Sequence, residues 1–188
     1  MQKIILASQS PRRKQLLEWA EIPFEVIVKE TDESYPEHLT KAEIAIHIAR
    51  NKALAVKPVV ADALSILAAD TIVVLEDRII GKPKDREDAI KILTSLSGKQ
   101  HLVITGVVIL VNDNEIAFAE TTEVYFHELS LDQIEFYVDN YKPYDKAGSY
   151  AIQEWIGVTG IKAVNGDFYN VMGLPVSRVV QHLNQLRD

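Results

Sequence analysis

Ser8, Ser10, Arg12 and Arg13 crowd into ILASQSPRR, the stretch Ile5–Arg13, directly after an apolar run. Pro11 suits the first position of a helix and Ser10 suits its N-cap, so these groups stand where a strand hands over to a helix. A helix start presents unpaired backbone N–H groups and the positive end of the helix dipole. With hydroxyls and two guanidinium groups added, the junction is suited to a multiply charged anion such as a triphosphate. The plainer reading is a capped helix whose arginines form solvated surface, and this stretch alone leaves both open. It is not a P-loop, and no G-x-G-x-x-G occurs anywhere.

Asp70 is the second group of interest. It follows Ile66-Leu67-Ala68-Ala69 and precedes Thr71-Ile72-Val73-Val74, so it interrupts an otherwise apolar strand. A carboxylate in such a place needs hydrogen bonds or a cation partner, because an unpaired buried charge is costly. It would serve as a general base or a metal ligand; alternatively it ends one strand and caps a turn. Glu33, in the acidic loop TDES, is a candidate to share a divalent cation with it, although acidic loops are usually solvated surface. Lys52 and Lys82 are ordinary lysines taken singly. The histidines at 38, 47, 101, 127 and 182 have no metal-ligand spacing, and no G-x-S-x-G elbow supports a serine hydrolase.

The elements that must position these groups can be read from periodicity. Residues 3–7 form a short strand, 12–20 a helix with Leu16, Leu17 and Ala20 inward, and 24–28 a second strand. The polar segment KETDESYPEHLT is a loop, with Thr40 capping a helix that runs to Pro58. SILAADTIVVLE is a strand, RII another after a turn, and Asp85–Ser97 a helix closed by Gly98. Two long strands meet at a turn around Asn112-Asp113-Asn114. Ser130 then starts a helix, a hairpin is expected around Asn165-Gly166, and the last helix follows Pro175. Early alternation of strands and helices, followed by a long hairpin, predicts an α/β protein with a mixed twisted sheet.

Composition sets the bounds. The chain has 188 residues, 47% hydrophobic and 25% charged, with eight glycines, seven prolines and no repeat. That is one sizeable core, with 1–188 expected as a single domain of two lobes. A net charge of −7 argues against non-specific nucleic-acid binding, which relies on a basic surface, but leaves room for a local positive pocket. The absence of cysteine removes disulfides and thiolate metal sites. The N-terminal apolar run is too short for a signal sequence, and no run approaches the roughly 20 residues of a membrane span. A cytoplasmic protein without membrane or nucleic-acid partners is expected.

ASQSPRRKQLL, TDE, AADTIV, GKP, DKAGSYAIQ and GDFYNVMGLP stand in the order and spacing of the Maf family of nucleoside triphosphate pyrophosphatases. The resemblance runs from Leu6 to Pro175 and into the last helix. Asp70-Thr71 together with Gln153 resembles the branch acting on dTTP and UTP; the 7-methyl-GTP branch carries other residues at Arg12 and in the acidic motif. One departure is Glu154-Trp155-Ile156-Gly157, where many relatives have Gly directly after Gln153; the added bulk and charge bear on base selection.

The resemblance implies hydrolysis between the α and β phosphates, giving a monophosphate and pyrophosphate as nucleotide-pool housekeeping. It implies a mixed sheet with flanking helices, in two lobes around a central cleft, as in inosine triphosphatase-like proteins. Asp70 would activate water; Ser8, Arg12, Arg13, Lys52, Thr71, Lys82 and Gln153 would bind substrate, with Arg12, Thr71 and Gln153 bearing on its choice. Glu33 and Asp70 would hold a divalent ion, magnesium or manganese, largely through phosphate oxygens and water. A homodimer is carried as an expectation. The alternatives are a pyrophosphatase for other nucleotides, 7-methyl-GTP among them, and a nucleotide-binding regulator of septum formation.

Overall fold

The computed structural model describes residues 2–61, 64–112 and 114–185. In chain order the elements are β1 (Ile4–Leu6), α1 (Pro11–Trp19), β2 (Phe24–Val26), α2 (Lys41–Val56), β3 (Ile66–Leu75), β4 (Arg78–Ile80) and α3 (Arg86–Leu96). There follow β5 (Gln100–Val111), β6 (Asn114–Phe126), α4 (Leu131–Tyr141), α5 (Trp155–Gly160), β7 (Ile161–Asn165), α6 (Phe168–Met172) and α7 (Val176–Gln185). Among the described residues seven strands form one sheet in the order β2-β1-β3-β5-β6-β7, with β4 on β3. β1 is parallel to β2 and β3, whereas β3–β4 and β6–β7 are antiparallel. The expected α/β class with a mixed sheet and flanking helices is what the chain adopts.

Helix starts follow local chemistry. The Ser10 hydroxyl accepts from the Arg13 N–H, and Pro11 opens α1. Thr40 with Glu43, and Ser130 with Gln133, each complete a capping box. Asp85 caps α3 by accepting from the Asp88 N–H, and Gly98 follows that helix at φ 69°. The turn expected at 112–114 includes Asp113, which lies outside the described residues. No hairpin forms around Asn165-Gly166: β7 pairs back onto β6, Val124 opposite Val164, and α6 follows. Gly166, at φ 125°, lies against β6, where a Cβ would stand 3.0 Å from Thr122 Oγ1. Asp167 Oδ1 then accepts from the N–H groups of Tyr169 and Asn170, which starts a helix rather than a returning strand.

Two compact units are defined, with the boundary falling inside β3, β5 and β6. The first comprises Met1–Thr71, Thr105–Glu120 and Gly173–Asp188. Ile5 and Ala7 of the β1 segment, Ile66 and Ala68 of β3, and Val108 and Leu110 of β5 pack on Ala49, Ala53 and Val56 of α2. Side chains alternate across a strand, so these positions name the sheet face that α2 covers. The intervening residues Leu6, Leu67, Ala69, Val107 and Ile109 are buried as well, so these strands are covered on both faces. Gly106 is the point of closest approach: a Cβ there would lie 2.2 Å from the Ala45 carbonyl carbon.

The second unit comprises Ile72–Ile104 and Thr121–Met172. Val73, Val103 and Val124 form its small apolar centre, with Ile80, Ala147, Ile161 and Val171 against them. Arg86 on α3 grips Asp139 on α4 with two hydrogen bonds, Nε to Oδ1 at 2.6 Å and Nη2 to Oδ2 at 2.9 Å. Phe126, His101 and Tyr150, all buried, make an aromatic trio in this unit.

Candidate active site

β3 is buried along its length except at two neighbouring positions, Asp70 and Thr71. Alternation sends them to opposite faces, and each finds a partner on a different helix. Asp70 shares the parity of Ile66 and Ala68 and so meets α2, where Lys52 Nζ lies 2.6 Å from its Oδ1. The same ammonium is 2.8 Å from Glu33 Oε1. The Asp70 and Lys52 side chains are 14% and 19% exposed, against 54% for Glu33, so the outer carboxylate faces water and the inner pair does not.

Thr71 points the other way, to Arg13. The Arg13 side chain runs inward: Nε donates to the Gly173 carbonyl at 2.7 Å, Nη1 to Ser8 Oγ at 3.1 Å and Nη2 to Thr71 Oγ1 at 3.0 Å. Thr71 Oγ1 is also 2.9 Å from Thr105 Oγ1 on β5. Ser8 Oγ accepts from the Ser10 N–H at 3.2 Å, which shapes the turn into α1. Burial lowers the Arg13 pKa to about 10, with the Asp70 carboxylate opposing that shift and Arg12 adding to it. The guanidinium is therefore a cation at neutral pH. Asp70 and Arg12 are each near enough to Arg13 to act on its charge.

The structure thus brings Ser8, Arg13, Thr71, Lys52, Asp70 and Glu33 into the first unit as two linked clusters at the carboxyl end of β1 and the middle of β3. This is the edge at which parallel sheets receive ligands, at the positive end of a helix. Arg12 lies on α1 beside Arg13, half-buried. Lys82, in the loop after β4, and Gln153, just ahead of α5, are exposed side chains of the second unit. Sequence reasoning placed Arg13 among solvated surface or phosphate ligands and overlooked Thr105 and Gly173. The spacing of Arg13 to Leu16 and Leu17 was the available signal, since i, i+3 and i+4 share one helix face.

Glu154 directs its charge inside its own unit. Tyr137 Oη donates to its carboxylate, and Lys146 Nζ lies 3.7 Å from Oε1. Trp155 packs against Phe136 with ring centres 4.9 Å apart. Among the described residues no group of three or more His, Asp or Glu side chains converges as a metal cluster. Within the same residues no helix is long and apolar enough to cross a membrane.

The chain is an α/β protein in which a strand–turn–helix junction, of the kind that suits an anion, lies beside a carboxylate–ammonium–carboxylate cluster. The chain belongs to the Maf-like protein family, whose sequence model matches residues 3–186. It is 50% identical over 182 residues to a protein of Parabacteroides distasonis named dTTP/UTP pyrophosphatase, covering 96% of this chain and 94% of that one. A Cytophaga hutchinsonii protein of the same name is 50% identical over 183 residues, covering 97% and 84%. One from Bacillus cereus, again so named, is 47% identical over 185 residues, covering 98% and 96%.

Proposed function

We propose that this chain is a nucleoside triphosphate pyrophosphatase that converts dTTP and UTP to the monophosphate and pyrophosphate. The observation that carries the reading is the placement of Asp70 beside Lys52 and Glu33, on the strand that Arg13 ties to the start of α1. The names borne by relatives at about half identity over nearly the whole chain support the substrate.

The chemistry needs a base, an electrophile held still and neutralised charge. Asp70 takes a proton from water as the water oxygen bonds to the α-phosphorus. The bond from that phosphorus to the bridging oxygen breaks, and pyrophosphate leaves with the electron pair. Lys52 holds Asp70 Oδ1, which leaves Oδ2 to receive the proton. Backbone N–H groups at the start of α1, with Ser8, Arg12 and the charge of Arg13, face the phosphate chain. Arg12 and Thr71 govern substrate choice.

Two carboxylates that converge on one cation fit a divalent ion whose remaining ligands are phosphate oxygens and water. Glu33 and Asp70 would hold magnesium or manganese beside Lys52, supplying charge neutralisation at the phosphates and a more acidic bound water. With these substrates the protein would work in the cytoplasmic nucleotide pool.

The test is a panel of UTP, dTTP, CTP, ATP, GTP and 7-methyl-GTP with magnesium, scoring pyrophosphate against orthophosphate. Many turnovers of UTP and dTTP to monophosphate and pyrophosphate are expected. Release of orthophosphate and a diphosphate, or no turnover, overturns the proposal.

A further inference from the structure

We propose that Thr105 is a positioning residue for this site, acting through Thr71 and Arg13 on the strand position that carries Asp70. The inference rests on the pyrophosphatase reading for its kinetic arm only.

Thr105 is completely buried. Its hydroxyl lies 2.9 Å from that of Thr71. Arg13 donates to Thr71 Oγ1, to Ser8 Oγ and to the Gly173 carbonyl, and Thr71 Oγ1 is itself 3.5 Å from that carbonyl. One guanidinium and two threonine hydroxyls therefore join four separate pieces of chain: the turn after β1, the middle of β3, β5, and the residue pair before Pro175. A hydroxyl offers one proton and two lone pairs. Arg13 occupies one lone pair of Thr71, and Thr105 and the Gly173 carbonyl face the rest. The Thr71 hydroxyl is thereby committed to internal partners, and its influence on substrate choice passes through position.

Asp70 is the neighbour of this anchor point. With Thr71 held on one face and Asp70 gripped by Lys52 on the other, β3 cannot roll about its axis without breaking one set of contacts. Loss of the Thr105 hydroxyl removes the buttress from the Thr71 side while deleting no group that faces the phosphates. Misplacement of a base by a fraction of an ångström lowers the chemical step more than binding.

The experiment compares Thr105→Val, which removes the hydroxyl at constant shape, with Thr105→Ser, which keeps it. For UTP, T105V is expected to lower kcat about tenfold with KM within about twofold, and T105S to stay within about twofold of the parent, the scale of one buried hydrogen bond. Unchanged kcat in T105V, or equal losses in both variants, overturns the proposal. Should valine crowd the strand and prevent folding, Thr105→Ala removes the same hydroxyl with less bulk and is read in the same way. A second readout needs no substrate: the Arg13 Nε–H, donating to Gly173, is expected to exchange with solvent slowly by NMR. Its exchange should accelerate in T105V and not in T105S. If the parent protein releases no pyrophosphate from any nucleotide, the pyrophosphatase reading fails, and exchange at Arg13 alone decides the positioning role. Exchange unaltered in T105V then sinks it.

Discussion

Lys52 reaches across from α2 to Asp70 and places its ammonium 2.6 Å from Oδ1, with Glu33 2.8 Å away on the solvent side. The arrangement makes Asp70 the inner member of a charged trio. Asp70→Asn keeps the shape and a weaker contact to Lys52, while Glu33 continues to neutralise that lysine. We expect Asp70→Asn to lose about 10²- to 10⁴-fold in turnover, the usual contribution of a general base, with an unchanged circular dichroism spectrum. Lys52→Met strips Asp70 of its partner and should cost about 1–3 kcal/mol of stability, whereas the double variant recovers part of that. Urea melts of the four proteins measure the coupling; additivity would show that the two groups do not support each other.

Arg13 behaves as a three-way fastener, so its replacement is a stability experiment as well as a binding one. Lysine cannot reproduce a planar fork that donates to a carbonyl and two hydroxyls. Arg13→Lys and Arg13→Ala are both expected to destabilise the protein by about 2–4 kcal/mol, through unsatisfied buried acceptors. Triphosphate affinity should fall far more than nucleoside affinity, because a cation beside the phosphate cradle is moved or lost. Thermal melts and calorimetric titrations check the two parts, and a fully stable Arg13→Ala would contradict the hydrogen-bond pattern.

Gly106 has a narrower role. A methyl group added there meets backbone atoms of Ala45 and Ile46 at 2.2–2.5 Å, and backbone cannot swing aside as a flexible side chain can. Gly106→Ala must push α2 off the sheet and carry Lys52 with it. A loss of about 2–3 kcal/mol is expected from such overpacking, with reduced turnover alongside. A urea midpoint equal to that of the parent would show that α2 yields freely.

What could be read in advance divides along the distance over which each feature is encoded. The Ser10–Pro11 helix start, the Thr40 cap and the polar interruption of β3 are written within a few residues, and all stand as expected. The partners of Arg13 are not. Gly173 lies 160 residues further along the chain and contributes a backbone carbonyl, which no residue type announces. Thr105 is one hydroxyl in a valine-rich strand, and only the parity of β5 against β3 aims it at Thr71. The misread at Asn165-Gly166 has a similar cause: an Asn-Gly pair signals a turn, but the strand that β7 joins, β6, was already in place upstream, and Asp167 redirected the chain into a helix.

His101 gives the fold a pH dependence of predictable sign. Its side chain is 2% exposed; Nε2 is 2.8 Å from the Tyr150 hydroxyl, and Nδ1 has no hydrogen-bond partner among the described residues. Burial pulls the imidazole pKa down to about 4, from 6.5. The unfolded chain therefore binds this proton more readily than the folded one, so folding is most stable above the unfolded value and weakens as pH falls through 6.5 towards 4. The full difference is on the order of 3 kcal/mol, spread over that interval. His101→Gln cannot titrate and keeps a polar partner for Tyr150, so it should flatten the profile between pH 6.5 and 4 relative to the parent protein. Urea unfolding at a series of pH values gives the slope directly; identical slopes in the two proteins would mean that the buried imidazole is already charged in the fold or never reprotonates on unfolding.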